Sequence, residues 1–168
     1  WINGTKHTGT YSSGTLTLTN VKVPVKAKGV EVSGTVTSYG DASEAVTVTL
    51  TKQGETSPAF TDTVTGASGS APYSQTYSFA AVPAGEYTLK VEKKGHAPFT
   101  KEITVGDSNV TEDVTVYLIG DVDGNGKVEQ KDSMILSRYF AGWSGYETKI
   151  VSSAAVDVDQ DGELKLKD

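Results

Sequence analysis

The chain has 168 residues, a net charge of −6, 36% hydrophobic residues and no cysteine, which suits one ordinary domain or two small ones. No basic patch indicates nucleic-acid binding, no apolar run approaches the length of a membrane span, and the lack of cysteine leaves the redox compartment open. Residues 1–120 carry a charge of −2 and residues 121–168 carry −4, so the acidic surplus is concentrated near the C-terminus.

The first 28 residues are rich in Gly, Thr and Ser and show two short alternations of apolar residues. Leu16 and Leu18 form the first, and three valines around Pro24 form the second. We interpret residues 1–28 as a linker or the tail of an upstream domain; the alternative is an edge strand of the following domain, where proline is tolerated. The chain begins at Trp1 rather than at a methionine, so we expect it to be part of a larger polypeptide.

Residues 29–118 consist of short segments in which apolar residues alternate with polar ones, separated by turns rich in Gly, Pro and Asp. The seven predicted strands are centred on residues 30–36, 46–50, 60–64, 73–79, 87–91, 99–105 and 110–118. Period-two alternation over about seven strands predicts a small all-β antiparallel sandwich in which one face of each sheet is buried.

The candidate chemistry of this sandwich is sparse. His7 and His96 are the two histidines, and neither lies beside the serine, cysteine or carboxylate arrangement that nucleophilic catalysis needs, so we predict no enzymatic activity in this chain. His96 lies in a Gly-His-Ala-Pro turn and is expected to be exposed to solvent. Tyr73 and Tyr77 are expected in the core; the alternative is an aromatic surface that stacks against sugars and makes the sandwich a glycan-binding module.

Four stretches of residues 29–118 carry a family resemblance. They are Val-Ser-Gly-Thr-Val at 32–36, Ala-Val-Thr-Val-Thr-Leu at 45–50, Val-Pro-Ala-Gly-Glu-Tyr-Thr-Leu-Lys-Val at 82–91 and Lys-Gly-His at 94–96. With them the segment resembles the carboxypeptidase-regulatory-like sandwiches, which have a transthyretin-like or Ig-like fold. The resemblance implies a spacer or structural support rather than a catalyst.

The most informative stretch is residues 121–132, Asp-Val-Asp-Gly-Asn-Gly-Lys-Val-Glu-Gln-Lys-Asp. Oxygen-bearing side chains at positions one, three, five, nine and twelve, with glycine at six, match the spacing of an EF-hand calcium loop, except that Asp replaces Glu at twelve. Calcium prefers about 6–8 oxygen ligands, and Gly126 allows the turn that brings both ends of the loop to one ion. The predicted ligands are Asp121, Asp123, Asn125, the Lys127 carbonyl, Glu129 and Asp132.

A second copy of this pattern begins at Asp157, 36 residues after Asp121, which makes a chance acidic turn a poor explanation for either loop. The predicted ligands of the second loop are Asp157, Asp159, Asp161, Glu163 and Asp168. Lys165 stands at position nine, where the first loop has Glu129, so it removes a ligand and adds a positive charge. We therefore expect two Ca²⁺ sites, of which the second is weaker.

Between the loops, residues 132–141 are predicted to form a helix that Gly142 ends, and residues 146–155 a second, shorter helical stretch. Residues 118–168 resemble a dockerin, a module of two F-hand motifs, each of which is a calcium loop followed by its exiting helix. The residues that carry this resemblance are the loop at 120–132, Ile135-Leu136, Arg138-Tyr-Phe140 and the loop at 156–162.

The dockerin resemblance has implications for fold, partner and location. It implies that residues 119–168 form a small α domain with two EF-hand-like calcium loops, and that this domain binds cohesin domains of a cellulosome-type scaffold in a calcium-dependent manner. A β-sandwich directly ahead of it resembles the X modules that often precede dockerins. The resemblance further implies an extracellular or cell-surface bacterial protein whose parent degrades or binds polysaccharides.

A helical wheel divides the first predicted helix into two faces. The residues expected to pack toward the loops and the domain interior are Asp132, Leu136, Tyr139, Phe140 and Trp143. The residues predicted to contact a cohesin are Gln130, Lys131, Met134, Ser137 and Arg138. Met and Arg are enriched at protein interfaces, which favours this second face as the docking face.

The sequence leaves alternative functions open. The chain stops at Asp168, before the second exiting helix, so we expect the first helix to carry most of any recognition surface. A calcium-stabilised stalk or adhesin segment, in which the loops only stiffen the linkage between domains, is one alternative. Carbohydrate binding by the sandwich is another.

Overall fold

The computed structural model describes residues 9–18, 29–159 and 161–165. The strands of this part of the chain are β1 (Gly9–Ser12), β2 (Thr15–Leu18), β3 (Val30–Ser38), β4 (Val46–Lys52), β5 (Phe60–Val64), β6 (Tyr73–Val82), β7 (Gly85–Lys93), β8 (Phe99–Val105), β9 (Val110–Thr111) and β10 (Val114–Thr115). The helices are α1 (Gln130–Phe140), a 3₁₀ turn (Glu147–Lys149) and α2 (Ser153–Val156). Within the described ranges, every helix is too short or too polar to cross a membrane.

Strands β3 to β10 form two facing sheets. In the first sheet β6 is antiparallel to β3, and the short strands β9 and β10 lie along the other edge of β3. The second sheet has the order β5-β4-β7-β8, with every pair antiparallel. This arrangement confirms the predicted all-β sandwich followed by a small helical module.

The alternation of apolar residues explains where the sandwich core lies. Val48 and Leu50 of β4 are fully buried and pair in register with Val91 and Leu89 of β7, which are fully buried as well. Burying a Val or Leu side chain contributes about 1.5–3 kcal/mol, and the core cluster contains 16 buried side chains. The two facing sheets are therefore held together mainly by the inward-pointing half of each strand.

The two tyrosines of β6 differ in burial. Tyr77 is 2% exposed, and its hydroxyl donates a hydrogen bond to the Glu112 carbonyl at 2.8 Å. Tyr73 is half-buried, and the Lys93 ammonium lies 5.4 Å from the centre of its ring. The core position expected of Tyr77 is confirmed, and Tyr73 lies at the margin of the core.

The seventh predicted strand differs from expectation. It is split into β9 and β10, and both pair parallel with β3, so the sandwich is not wholly antiparallel. Between them the side chain of Asp113 accepts the Thr35 N–H at 2.8 Å, and the Glu112 N–H donates to the Ser33 carbonyl at 2.9 Å. A Cβ on Gly34 would lie 1.9 Å from the Glu112 oxygen, so the close approach of this segment requires glycine in β3.

The N-terminal strands β1 and β2 form a two-stranded antiparallel sheet of their own. The strand expected around Leu16 and Leu18 is thus present as β2. The apolar alternation around Pro24, and the linker expected after it, lie outside the described residues.

The helical module packs around a small core. Val122, Ile135 and Val156 are fully buried, and four partly buried side chains surround them: Leu136, Tyr146, Ile150 and Leu164. The first predicted helix is present as α1, but the stretch predicted at 146–155 is a 3₁₀ turn followed by the single-turn helix α2.

The expected burial of Trp143 is wrong, because its side chain is 57% exposed. Helix α1 ends at Phe140, and Gly142 adopts a positive φ of 72°, so Trp143 no longer follows the helical wheel. Its ring packs edge-on against Tyr146, with 6.3 Å between ring centres, and the Arg138 guanidinium lies 5.1 Å from the Trp143 ring centre.

The junction between the sandwich and the helical module is hydrogen-bonded. The Ala97 N–H donates to the Tyr117 carbonyl at 2.9 Å, and the Ile119 N–H donates to the Gly95 carbonyl at 3.0 Å. His96 lies inside this junction and is 5% exposed, so the solvent exposure expected from its turn is wrong. His96 forms an isolated antiparallel backbone bridge with Leu118.

Candidate metal centre and docking helix

The first acidic loop brings three of its predicted ligands together. Asp121, Asp123 and Asp132 each offer a carboxylate oxygen, and these oxygens lie within 4.8 Å of one another. Asp121 is 0% exposed and Asp132 is 2% exposed, so two of the three carboxylates are withdrawn from water. Buried carboxylates in contact are costly unless a cation compensates their charge.

Backbone N–H groups hold these carboxylates in place. Asp121 accepts the N–H groups of Asn125 at 3.1 Å and Gly126 at 2.8 Å, which closes the turn of the loop. Asp132 accepts the N–H groups of Val122 at 2.9 Å and Glu129 at 2.8 Å, so it ties the start of the loop to the start of α1. Asp132 is the third residue of α1, and a carboxylate in the first turn also interacts favourably with the helix dipole.

The electrostatics of the first loop suit a divalent cation. Burial raises the pKa of the Asp121 carboxyl, hydrogen bonds from the Gly126 and Asn125 N–H groups oppose this, and the charges of Asp132 and Asp123 raise it further. A clustered set of acidic oxygens with a destabilised charged form is the donor set that Ca²⁺ prefers. The residues present therefore fit a calcium ion.

The other predicted ligands of the first loop lie on its exposed side. The Asn125 side-chain oxygen accepts the Lys127 N–H at 2.9 Å, and its amide nitrogen donates to Glu129 at 3.3 Å. The Lys131 ammonium lies 2.5 Å from an oxygen of Asp123. The structure therefore brings three predicted ligands into one cluster and places Asn125 and Glu129 beside it.

The second loop repeats the geometry of the first. Carboxylate oxygens of Asp157, Asp159 and Asp161 lie within 4.8 Å of one another. Asp157 accepts the N–H groups of Asp161 at 3.1 Å and Gly162 at 2.7 Å, in the same pattern as Asp121. Its carboxylates are less buried, with Asp157 at 8% exposure and the other two exposed.

The side chain of Lys165 places a positive charge in the second loop. Its ammonium is 3.0 Å from Asp161 and 2.5 Å from the Glu163 carboxylate. The predicted ligand Asp168 lies outside the described residues.

The proposed docking face of α1 is largely exposed. Gln130, Lys131 and Ser137 are exposed, and Met134 is 39% exposed. Arg138 is instead half-buried: its guanidinium bonds the Tyr146 hydroxyl and lies over the Trp143 ring. Arg138 thus ties α1 to the turn after it, and its side chain is less exposed on this face than the helical wheel suggests.

The structure adds three residues to the site that the predicted faces and loops do not include. Ile135 carries part of the family resemblance, but the helical wheel above assigns it to neither face; it belongs to the buried stripe of α1, three residues after Asp132. Tyr39 and Tyr117 of the sandwich lie against the first loop, and no local pattern connects them to it.

Comparison with known families assigns both parts of the chain. The model of the carboxypeptidase regulatory-like domain matches residues 31–118, and the model of the dockerin type I domain matches residues 119–168. Both are non-catalytic modules, so the chain joins a β-sandwich module to a docking module. The chain belongs to the carboxypeptidase regulatory-like domain family, and its C-terminal segment is a dockerin, the cellulosomal module whose partner is a cohesin.

Two further comparisons concern individual proteins. A solved structure similar to this chain is a chain of a type II cohesin–X-dockerin complex from Acetivibrio cellulolyticus, in an N-terminal interface mutant. The two are 17% identical with a TM-score of 0.34, over 66% of this chain and 73% of that chain. No curated protein matches the chain. Dockerin type I domains are generally calcium-binding, and they are typically extracellular or cell-surface modules of bacteria.

Proposed function

We propose that this chain anchors a parent protein to a cohesin domain in a calcium-dependent way. The observation that supports this most directly is the buried carboxylate cluster of the first loop, which lies at the start of an exposed helix inside a dockerin match. Calcium would supply the positive charge that offsets the repulsion within this cluster. Binding free energy at such a site is folding free energy for the module around it.

Asp132 connects metal binding to recognition. It contributes an oxygen to the cluster, and it accepts N–H groups from both Val122 and Glu129. Its carboxylate therefore fixes the first turn of α1 relative to the loop. A helix positioned in this way presents its exposed face at a defined angle.

That face is our proposed cohesin contact. It combines one adaptable apolar side chain, Met134, with the polar Gln130 and Ser137 and the basic Lys131. Arg138 lies at its edge, held by Tyr146. Interfaces favour such a pattern of a central apolar contact with a polar rim.

We propose that both loops bind calcium and that the second binds it more weakly. An ammonium lies on one carboxylate of each loop, Lys131 on Asp123 and Lys165 on Asp161. Lys165 also pairs with the predicted ligand Glu163, so an ion entering the second loop must displace the chain's own positive charge from two predicted ligands rather than one. The carboxylates of the second loop are also more exposed, and solvent screening weakens their attraction for a cation. Both effects lower affinity in the same direction.

The anchoring role implies where the chain would act and what kind of parent protein it would serve. The chain would carry no catalytic site of its own and would act outside the cell. Its parent would be a polysaccharide-degrading or polysaccharide-binding protein that the dockerin attaches to a cellulosome-type scaffold. The sandwich would serve as the support between the parent and the dockerin.

The decisive experiment is a binding titration of the whole chain against a panel of cohesins, in calcium and in EDTA. We expect one cohesin type to bind in calcium, and we expect EDTA to abolish binding and most of the helical circular dichroism while the sandwich stays folded. Tight binding that persists in EDTA would contradict calcium dependence. A chain that binds no cohesin would be a stalk, and a positive glycan array would identify a carbohydrate-binding module.

A further inference from the structure

Two tyrosines of the sandwich lie directly against the first acidic loop. Tyr39 follows β3 and Tyr117 follows β10, and their rings stack with 6.3 Å between centres and 18° between planes. A Cβ built on Gly126 would lie 2.4 Å from a ring carbon of Tyr39, and one built on Gly124 would lie 3.2 Å from Tyr117. The backbone of the loop therefore packs on aromatic rings that belong to the other module.

The second loop provides an internal comparison. Gly162 occupies position six, as Gly126 does in the first loop, and the φ angles of the two are 85° and 84°. Among the described residues, a Cβ on Gly162 would meet nothing within 4 Å, whereas one on Gly126 would overlap Tyr39. Position six therefore has the same φ in both loops, but the sandwich supports it in the first.

Both backbone polar groups of Tyr39, its N–H and its carbonyl, are hydrogen-bonded to side chains of the sandwich. Its N–H donates to Nε2 of His96 at 3.2 Å, and its carbonyl accepts from the Lys93 ammonium at 3.2 Å. His96 and Lys93 are both 5% exposed, so these bonds lie inside the sandwich. The backbone of Tyr39 is thus held by buried side chains of the sandwich, and its ring stacks on the ring of Tyr117.

We propose that Tyr39 is a positioning residue for the first loop: by packing on Gly126 it preorganises the turn and raises the calcium affinity of this loop above that of the second. The inference rests on the proposed calcium binding of the dockerin. A loop that is already in its bound shape loses less conformational entropy when the ion binds, so affinity rises without any added ligand. In this role Tyr39 acts through the backbone of the loop rather than as a ligand.

The test uses the whole chain and reads each loop separately through the backbone amide NMR signals of Gly126 and Gly162 during calcium titration. Tyr39→Ala should weaken the first loop by about tenfold and leave the second unchanged. Tyr39→Phe should restore the affinity, because the atoms nearest Gly126 are the ring carbons Cδ1, Cε1 and Cγ. Terbium in place of calcium adds a further readout: Tyr39→Phe should lower its tyrosine-sensitised luminescence while the affinity stays.

A matched pair of glycine variants keeps the test valid if Tyr39→Ala disturbs the sandwich. Gly126→Ala and Gly162→Ala impose the same backbone strain, but Gly126→Ala also collides with Tyr39. Gly126→Ala should therefore weaken its loop more than Gly162→Ala weakens the other. The double variant Gly126→Ala with Tyr39→Ala should lose less affinity than the two single losses combined.

The outcomes separate this inference from the proposed function. Wild-type chain that binds no calcium at either loop refutes both. If the wild type binds calcium and Tyr39→Ala leaves the affinity read at Gly126 unchanged, the positioning role alone is refuted. It is also refuted if the affinity losses of Tyr39→Ala and Gly126→Ala simply add in the double variant. Equal weakening of both loops by Tyr39→Ala also refutes it, because a merely structural loss acts on the whole module.

Discussion

Replacing Asp132 by asparagine separates the two tasks that this side chain performs. One carboxylate oxygen accepts the Val122 N–H at 2.9 Å and the Asp123 N–H at 3.3 Å, and the other accepts the Glu129 N–H at 2.8 Å. An amide has a single oxygen, so Asp132→Asn must leave one of these sides facing an NH₂ group. The Glu129 side is the less buried, and the amide nitrogen should settle there.

The magnitude follows from that lost acceptor and the lost charge. Leaving a partly buried N–H without its acceptor costs about 1–3 kcal/mol, which corresponds to roughly a 5–150-fold change in an equilibrium constant. In the proposed function, metal binding and folding of the dockerin are coupled, so we expect this cost to appear as weaker calcium binding. The calcium concentration at the midpoint of the helical circular dichroism signal should therefore rise about 5–150-fold.

Circular dichroism at 222 nm during calcium titration measures this midpoint. Asp113→Asn is the matched control, because Asp113 supports the Thr35 N–H through one oxygen and lies in the sandwich, outside both loops. The control should leave the midpoint where it is in the wild type. An unchanged midpoint for Asp132→Asn would show that Asp132 neither binds the ion nor couples it to α1.

Three further predictions address the weaker loop, the docking face and the junction. Lys165→Glu replaces the competing ammonium with the residue type found at position nine of the first loop, so the calcium affinity of the second loop, read at the Gly162 amide, should rise. Met134→Glu places a charge at the centre of the proposed face and should weaken cohesin binding by at least tenfold in calorimetry, while calcium binding is retained. The pKa of His96 is lowered, mainly by burial and further by the Lys93 charge, so the unfolded sandwich takes up a proton at a higher pH than the folded one. Urea unfolding should therefore show full sandwich stability above about pH 6.5 and a loss as pH falls from there toward the folded pKa.

Each of these predictions has a matched control. Lys149→Glu makes the same charge change outside the loops and should not alter calcium affinity at Gly162. Thr100→Glu adds a charge on the exposed face of β8 and should leave cohesin binding unchanged. His96→Gln removes the titrating ring, so the fall in stability below about pH 6.5 should disappear; persistence of the fall would assign it to another group.

Patterns between residues close in sequence were sufficient to predict the strands and the two acidic loops. Successive side chains of a strand point to opposite faces of the sheet, so a strand with one face in the core shows the alternation seen at Val46, Val48 and Leu50. The same rule predicts strands at all seven apolar segments. The fixed spacing of Asp121, Asp123 and Asp132 reflects the reach of a single loop around one point. Both features arise between residues close in sequence.

Contacts between distant segments account for what the sequence did not predict. The parallel pairing of β9 and β10 depends on Asp113 reaching Thr35, 78 residues away. The burial of His96 accompanies its backbone bridge to Leu118, which is distant from it in sequence. Tyr39 lies in a Ser-Tyr-Gly turn with no chemical signature of its own, and its place against Gly126 exists only in the folded chain.

The small core of the helical module has a consequence for proteolysis. In the described part of that module, the core cluster consists of Val122, Ile135 and Val156. At about 1.5–3 kcal/mol each, these side chains offset the ordering of only a few residues, so we expect the module to need calcium and the sandwich to stay folded. A protease added in chelator should cut within residues 121–165 and stop at the sandwich, whereas calcium should protect both. In a sample that contains both calcium-bound and calcium-free chains, the fraction of intact chain after digestion would thus measure the fraction whose dockerin is folded.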